Sequence, residues 1–252
     1  MNHKLVITDV PKPRKAAIFI PTNLPALDDP RDINMRSQAR FEVGMSYARK
    51  LRAELGRANV LVILFGGWPL HGRIPLAIHH AYAAIVMHQF LTADELDFVA
   101  SYGINTSTDL HGTLKWAQEN LLDIKEAYVV TSKGHAERLI TESGMHQLFS
   151  TIKHVETHEP RSATGEDQLW TTRAKNIPPH QYIISGRSSD VTRFGSIDSL
   201  EWAGKMRLWA AENPDKFDTY LANIWRMMGQ LEENNVVVRS RTPGCWRIDI
   251  NL

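Results

Sequence analysis

The chain has 252 residues, 43% of them hydrophobic and 23% charged, with 29 lysines and arginines against 28 aspartates and glutamates. That length and apolar fraction suffice for one large domain, or a domain with an appendage, without disulfide or metal staples. The balanced charge leaves no electrostatic footprint for nucleic acid, and the single cysteine, Cys245, excludes an internal disulfide and a cysteine-only metal site.

The N-terminal stretch MNHKLVITDVPKPRK has too short an apolar run for a signal sequence, and Pro11 and Pro13 interrupt it. The longest apolar runs, around Val60 to Phe65 and Ala81 to Met87, fall well short of a membrane span. A cytoplasmic protein with no membrane partner is expected.

The first strand signal is Ala16 to Ile20, which runs into the loop PTNLPALDDPRD. From about Met35 to Leu55, the apolar positions Phe41, Met45, Tyr47, Ala48, Leu51 and Leu55 recur at helical intervals, and Gly56 stands where a C-terminal cap belongs. Asn59 to Phe65, NVLVILF, is a strongly apolar run without alternation, as in a strand buried on both faces, and leads into Gly66-Gly67-Trp68-Pro69. Leu76 to Phe90 reads as a helix. Thr92 to Glu95 has the form of a capping box, predicting a short helix that ends near Tyr102.

A helix over about Leu110 to Leu122 is followed by the strand Ala127 to Val130, a helix that stops near Gly144, and the strand Ile152 to Val155. Glu159 to Pro179 turns polar and irregular, which predicts a long loop or lid. Beyond it come a strand over Gln181 to Ile184 and amphipathic helices over Leu200 to Ala211 and Phe217 to Leu231. The tail predicts a hairpin or edge strand around the Pro243-Gly244 turn.

Alternating strands and helices without hairpin signals predict an α/β fold: a mostly parallel sheet with helices on both faces and a C-terminal helical appendage. The expected division is a core over 1–158, with 159–252 as loop or lid plus helical extension completing the same domain. Trp202, Trp209 and Trp225 lie in that extension. They would pack on the sheet or on a second copy of the chain, making a homo-oligomer through the C-terminal helices one expectation.

The chemistry concentrates at strand ends. In AYVVTSKGHAERLI, residues 127–140, a buried strand gives way to a polar turn and then a helix. The helix would direct its unsatisfied N–H groups at whatever lies beyond the strand's carboxyl end. Thr131 and Ser132 offer hydroxyls there, and His135 and Arg138, three apart, share a helical face. The ordinary alternative is that Ser132 only caps the helix, while His135 and Arg138 are solvated. Asn23 after the first strand, Gly66 and Gly67 after the second, and Ser107 and Thr108 before a later helix would meet the same sheet edge, forming a ligand pocket.

The run VTSKGHAERL resembles the V-T-S-x-x-H-x-x-R-A signature of the SanA/YdcF/ElyC family, and LFGGWP and STDLHGTLKWAQENLL agree with that family's order and spacing. The resemblance covers roughly residues 15 to 160. It implies a bacterial protein with a Rossmann-like fold; one cytoplasmic branch is associated with S-adenosylmethionine binding and membrane-anchored branches with envelope integrity. Pro21-Thr22-Asn23 stands where the family has a glycine-rich loop, and His111-Gly112 where it has asparagine and alanine.

Eleven histidines are present, but no H-E-x-x-H pattern or comparable array, so no metal is assigned. His79 and His80 are adjacent, so at most one is expected to face inward from a helix. His135 and His111 are the candidate catalytic residues, acting as acid/base groups near neutral pH or binding an anion. Asn23, Gly66, Gly67, Ser107, Thr108, Thr131, Ser132 and Arg138 are the candidate ligand-binding residues. The cofactor is unknown; the residues suit a nucleotide-like or phosphorylated ligand, and the family resemblance implies S-adenosylmethionine as one such ligand. Two functions follow: an enzyme using His135 for proton transfer, or a non-catalytic ligand sensor linked to envelope or metabolic regulation.

Overall fold

The computed structural model describes residues 15–22, 26, 29–66, 74, 76–101, 113, 124–142, 145–159 and 204–240. Six strands form one sheet: β1 (Lys15–Pro21), β2 (Val60–Phe65), β3 (Phe98–Ser101), β4 (Ile124–Thr131), β5 (Thr151–Glu156) and β6 (Val237–Ser240). Their order is β5-β4-β1-β2-β3-β6, and every neighbouring pair is parallel. The chain builds outward from β1 through β2 to β3, then returns across β1 to β4 and β5. The strand order therefore reverses between β1 and β4. In open α/β sheets, the crevice outside the carboxyl ends at such a reversal is where ligands bind.

The strands carry apolar residues on both faces because helices cover both. Ala16, Ile18 and Ile20 of β1, with Val62 and Leu64 of β2 and Val130 of β4, pack with α1 (Met35–Leu55), α2 (Leu76–Tyr82) and α6 (Pro214–Glu233). Ala17, Phe19, Phe65 and Val129 face the other way, toward α3 (Lys133–Glu142) and α4 (Met145–Leu148), where Phe149 meets Phe19 edge-on at 5.7 Å. Residues 204–212 form a further helix, α5. Connections from β1 to β2 and from β4 to β5 run in opposite directions across the sheet. With right-handed crossovers, they place their helices on opposite faces.

Local chemistry sets the ends of α1. Asn34 accepts from the N–H groups of Arg36 and Ser37 at 3.1 and 2.9 Å, and Gly56 leaves the helix at φ +89°, a left-handed conformation that favours glycine. Its buried face runs through Ser37, Arg40, Phe41, Gly44, Met45, Ala48 and Leu51. Arg40 thus lies on the stripe facing the sheet.

Two expectations are corrected. The capping box at Thr92 and Glu95 forms, but it opens only a single 3-10 turn over Ala93–Glu95, and Phe98–Ser101 is β3 rather than helix. Sheet pairing overrides the cap: Asp97 N–H donates to Val62 O at 3.0 Å, and the Asp97 carboxylate takes Arg52, Arg57 and the Val62 N–H. His79 and His80 are both fully buried, because every residue of α2 is enclosed between the sheet and α6. His80 Nδ1 donates to Leu76 O at 2.7 Å, and His79 bridges Tyr220 and the Asp32 carbonyl.

The C-terminal region does more than cap the core. β6 adds to the sheet beside β3, so the tail supplies an edge strand, while the Pro243-Gly244 turn and the strand expected at 181–184 lie outside the described residues. Trp209 carries Arg31 over its ring at 4.6 Å and stacks edge-on with Phe217 and Tyr220, tying α5 and α6 to the loop after β1. A cleft of about 270 Å³ opens there, lined by Arg31, Tyr82, Lys216 and Tyr220 among others. Among the described residues, no helix is long and apolar enough to cross a membrane.

Candidate functional site

The ends of β1, β2 and β3 are laced together at their carboxyl side. Thr22 N–H donates to Phe65 O at 2.8 Å, and Gly66 N–H to Ala100 O at 3.0 Å. Gly66 is needed here for a reason other than ligand approach. A Cβ at that position would lie 1.9 Å from Thr22 Oγ1 and 3.1 Å from Thr22 Cβ, so the space glycine leaves is filled by the Thr22 side chain. Gly66→Ala is expected to cost about 1–3 kcal/mol by overpacking. Adding Thr22→Ala should recover part of that loss in urea denaturation.

The densest polar assembly lies at the reversal between β1 and β4. Arg40 reaches it from the second turn of α1, and Glu159 from three residues beyond β5; their side chains are 2% and 3% exposed. Arg40 Nε donates to Glu159 Oε1 at 2.7 Å and NH2 to Oε2 at 2.8 Å, while NH1 donates to the Pro21 carbonyl at 3.1 Å. Glu159 Oε1 also accepts from the Ser132 N–H at 2.9 Å, Thr157 Oγ1 at 2.6 Å and Thr131 Oγ1 at 3.3 Å. Burial alone would push the Glu159 carboxyl up, but the Arg40 guanidinium and the donors from Thr157 and Ser132 outweigh it and hold it below the usual carboxylate range. Glu159 is therefore ionised at neutral pH and can only accept.

The Thr131 hydroxyl stands between two partners, 3.3 Å from Glu159 Oε1 and 2.8 Å from His135 Nδ1. With its hydrogen directed at Glu159, its oxygen accepts from Nδ1–H, and Nε2 is then the accepting nitrogen of a neutral ring. The strand supports this arrangement from beneath: the Thr131 carbonyl accepts from His154 Nε2 at 2.7 Å and from Thr157 N–H at 3.1 Å. His135 is 6% exposed in the first turn of α3, so the alternative of a solvated surface histidine does not hold.

Of the residues singled out in the sequence, Thr131, Ser132 and His135 come together in this assembly, and Gly66 packs against Thr22 at the neighbouring strand end. Arg138 lies in α3 one turn beyond His135. Asn23, Gly67, Ser107, Thr108 and His111 lie outside the described residues. Arg40, Thr157 and Glu159 were not anticipated. Arg40 did carry a signal, as a charged residue in phase with the buried stripe Phe41, Met45 and Ala48; Glu159, 119 residues away, carried none. Among the described residues, no group of three or more His, Cys, Asp or Glu side chains is placed to hold a metal ion.

The fold and the polar edge define a Rossmann-like α/β protein with a buried Arg-Glu-Thr-His network at its topological reversal. No family model, no curated protein and no solved structure matches the chain.

Proposed function

We propose that this protein is an enzyme acting on a small nucleotide-like, S-adenosylmethionine-like or phosphorylated molecule at the carboxyl edge between β1 and β4, with His135 as its proton-transfer group. The observation that carries this reading is the chain of hydrogen bonds from Glu159 through Thr131 to His135. With the Thr131 hydrogen directed at Glu159 it favours the tautomer whose Nε2 accepts a proton, and it orients the ring from a strand end rather than a loop. The N-terminus of α3 favours an anionic group beside it. The resemblance of VTSKGHAERL to the SanA/YdcF/ElyC signature supports the same edge and a bacterial setting.

The test begins with a thermal-shift screen against nucleotides, S-adenosylmethionine and sugar phosphates, since a ligand that binds only the native state raises Tm. With the ligand so found, His135→Ala is expected to lower turnover by about 100-fold or more while keeping most of the thermal shift. Unchanged turnover in His135→Ala would remove the acid/base role. A ligand that binds without being converted, with affinity alone altered in the variant, would make the protein a sensor.

A further inference from the structure

The five donors around Glu159 do not suit a carboxylate well. Four of them, Arg40 Nε, Ser132 N–H, Thr157 Oγ1 and Thr131 Oγ1, converge on Oε1, and Oε2 receives Arg40 NH2. A carboxylate oxygen has two lone pairs, so Oε1 is asked to serve twice as many donors as it has good directions. The Thr131 contact is the longest of the set at 3.3 Å. A phosphoryl group presents three terminal oxygens and more negative charge, and could share the same donors without crowding.

The donors also have the composition of an anion site. A fully buried guanidinium offers a bidentate fork, a main-chain N–H stands at the N-terminal end of a ten-residue helix, and two strand-end hydroxyls complete the ring. All lie at the reversal between β1 and β4. Glu159 is delivered by a short segment after β5, tethered to the sheet through Thr157 N–H on Thr131 O at 3.1 Å.

We propose that Arg40, Thr131, Thr157 and the Ser132 N–H form a phosphoryl-binding subsite that Glu159 occupies in the unliganded protein, and that a phosphate-bearing ligand displaces the Glu159 carboxylate. This rests on the reading of that edge as a ligand site and sharpens it to an anion with three terminal oxygens. Displacement also changes the Thr131 hydroxyl's partner, so ligand binding and the proton order at His135 are linked through one side chain.

The probe is inorganic phosphate, with acetate as the carboxylate comparison, followed by calorimetry and phosphorus NMR on the full chain. Glu159→Gln removes the competing charge with little change in shape, and Glu159→Ala empties the position. Phosphate is expected to bind both at least about ten-fold more tightly than it binds the parent protein, and to raise their Tm more than equal acetate does. Arg40→Gln combined with Glu159→Gln should abolish the gain. Equal phosphate affinity in parent and Glu159→Gln, or acetate matching phosphate, would overturn the proposal.

A second measurement needs no variant. In the parent protein at saturating phosphate, hydrogen exchange at residues 157–159 should accelerate while the Ser132 amide stays protected; unchanged exchange at 157–159 would equally overturn it. Phosphate binding is read without turnover, so the calorimetry reports on the subsite whether or not His135 transfers a proton. Loss of the catalytic reading with this affinity intact, or the reverse, separates the two claims.

Discussion

Replacing Arg40 with alanine is expected to destabilise the protein by about 3–5 kcal/mol, because it leaves the Glu159 carboxylate buried without its counter-charge. The Pro21 carbonyl loses a donor in the same step. Glu159→Ala should cost a similar amount, since Arg40, the Ser132 N–H and two threonine hydroxyls lose their common acceptor. The double variant is expected to cost far less than the sum of the two, as residues of one network are coupled. An Arg40→Met, Glu159→Met pair should remain less stable than the parent, because the surrounding donors and carbonyls stay unsatisfied. Urea denaturation tests all of these, with midpoints shifting at constant slope. Costs below about 1 kcal/mol for both single variants would show that the pair is solvated and weak.

The second large effect is acid destabilisation through His79. The ring is fully buried in α2, with Nδ1 accepting from Tyr220 Oη at 3.0 Å and Nε2 facing the Asp32 carbonyl at 3.3 Å. Burial pushes its pKa down from 6.5 to about 4, against the smaller opposing pulls of the Asp32 carbonyl and the Asp29 charge. Above pH 6.5 the ring is neutral in both folded and unfolded chains, and there is no penalty. Between 6.5 and about 4 the unfolded chain takes up a proton that the folded one refuses, so stability falls as pH falls, by about 3 kcal/mol in total.

Glu159 acts in a lower window. Its stabilising charge is complete above its ordinary value of 4.5 and is lost only as pH falls through its depressed folded value. His79→Gln, which can keep both hydrogen bonds without titrating, should flatten the pH dependence between 6.5 and 4.5 by about one proton. A parallel set of urea midpoints for parent and variant would refute the assignment.

These two clusters show what could and could not be seen in the linear chain. The span of α1 was legible because its apolar positions recur at helical intervals and Gly56 closes it. The meeting of Thr131, Ser132 and His135 was legible because four residues cannot separate a strand end from the first helical turn. The pairing of Arg40 with Glu159 was not, since a 119-residue separation leaves no local trace. Glu159, the first residue of the stretch expected as a loop or lid, is buried in the core's polar edge. The Thr92 box read correctly as a cap and wrongly as a helix, because Asp97 is drawn into the sheet by partners on β2 and β6.

By itself, the amino-acid sequence determined the alternation of strands and helices, the doubly apolar strands and the polar strand-end turn that carries His135. Each of these depends on spacing within a few residues and on backbone chemistry that does not vary with context. Only the tertiary structure decided the strand order with β1 at its centre and β6 on the far edge, the burial of both His79 and His80, and the charge on Glu159 beside Thr131. Burial and protonation depend on everything packed around a group from every side, and for these groups the neighbours come from segments far apart in the chain.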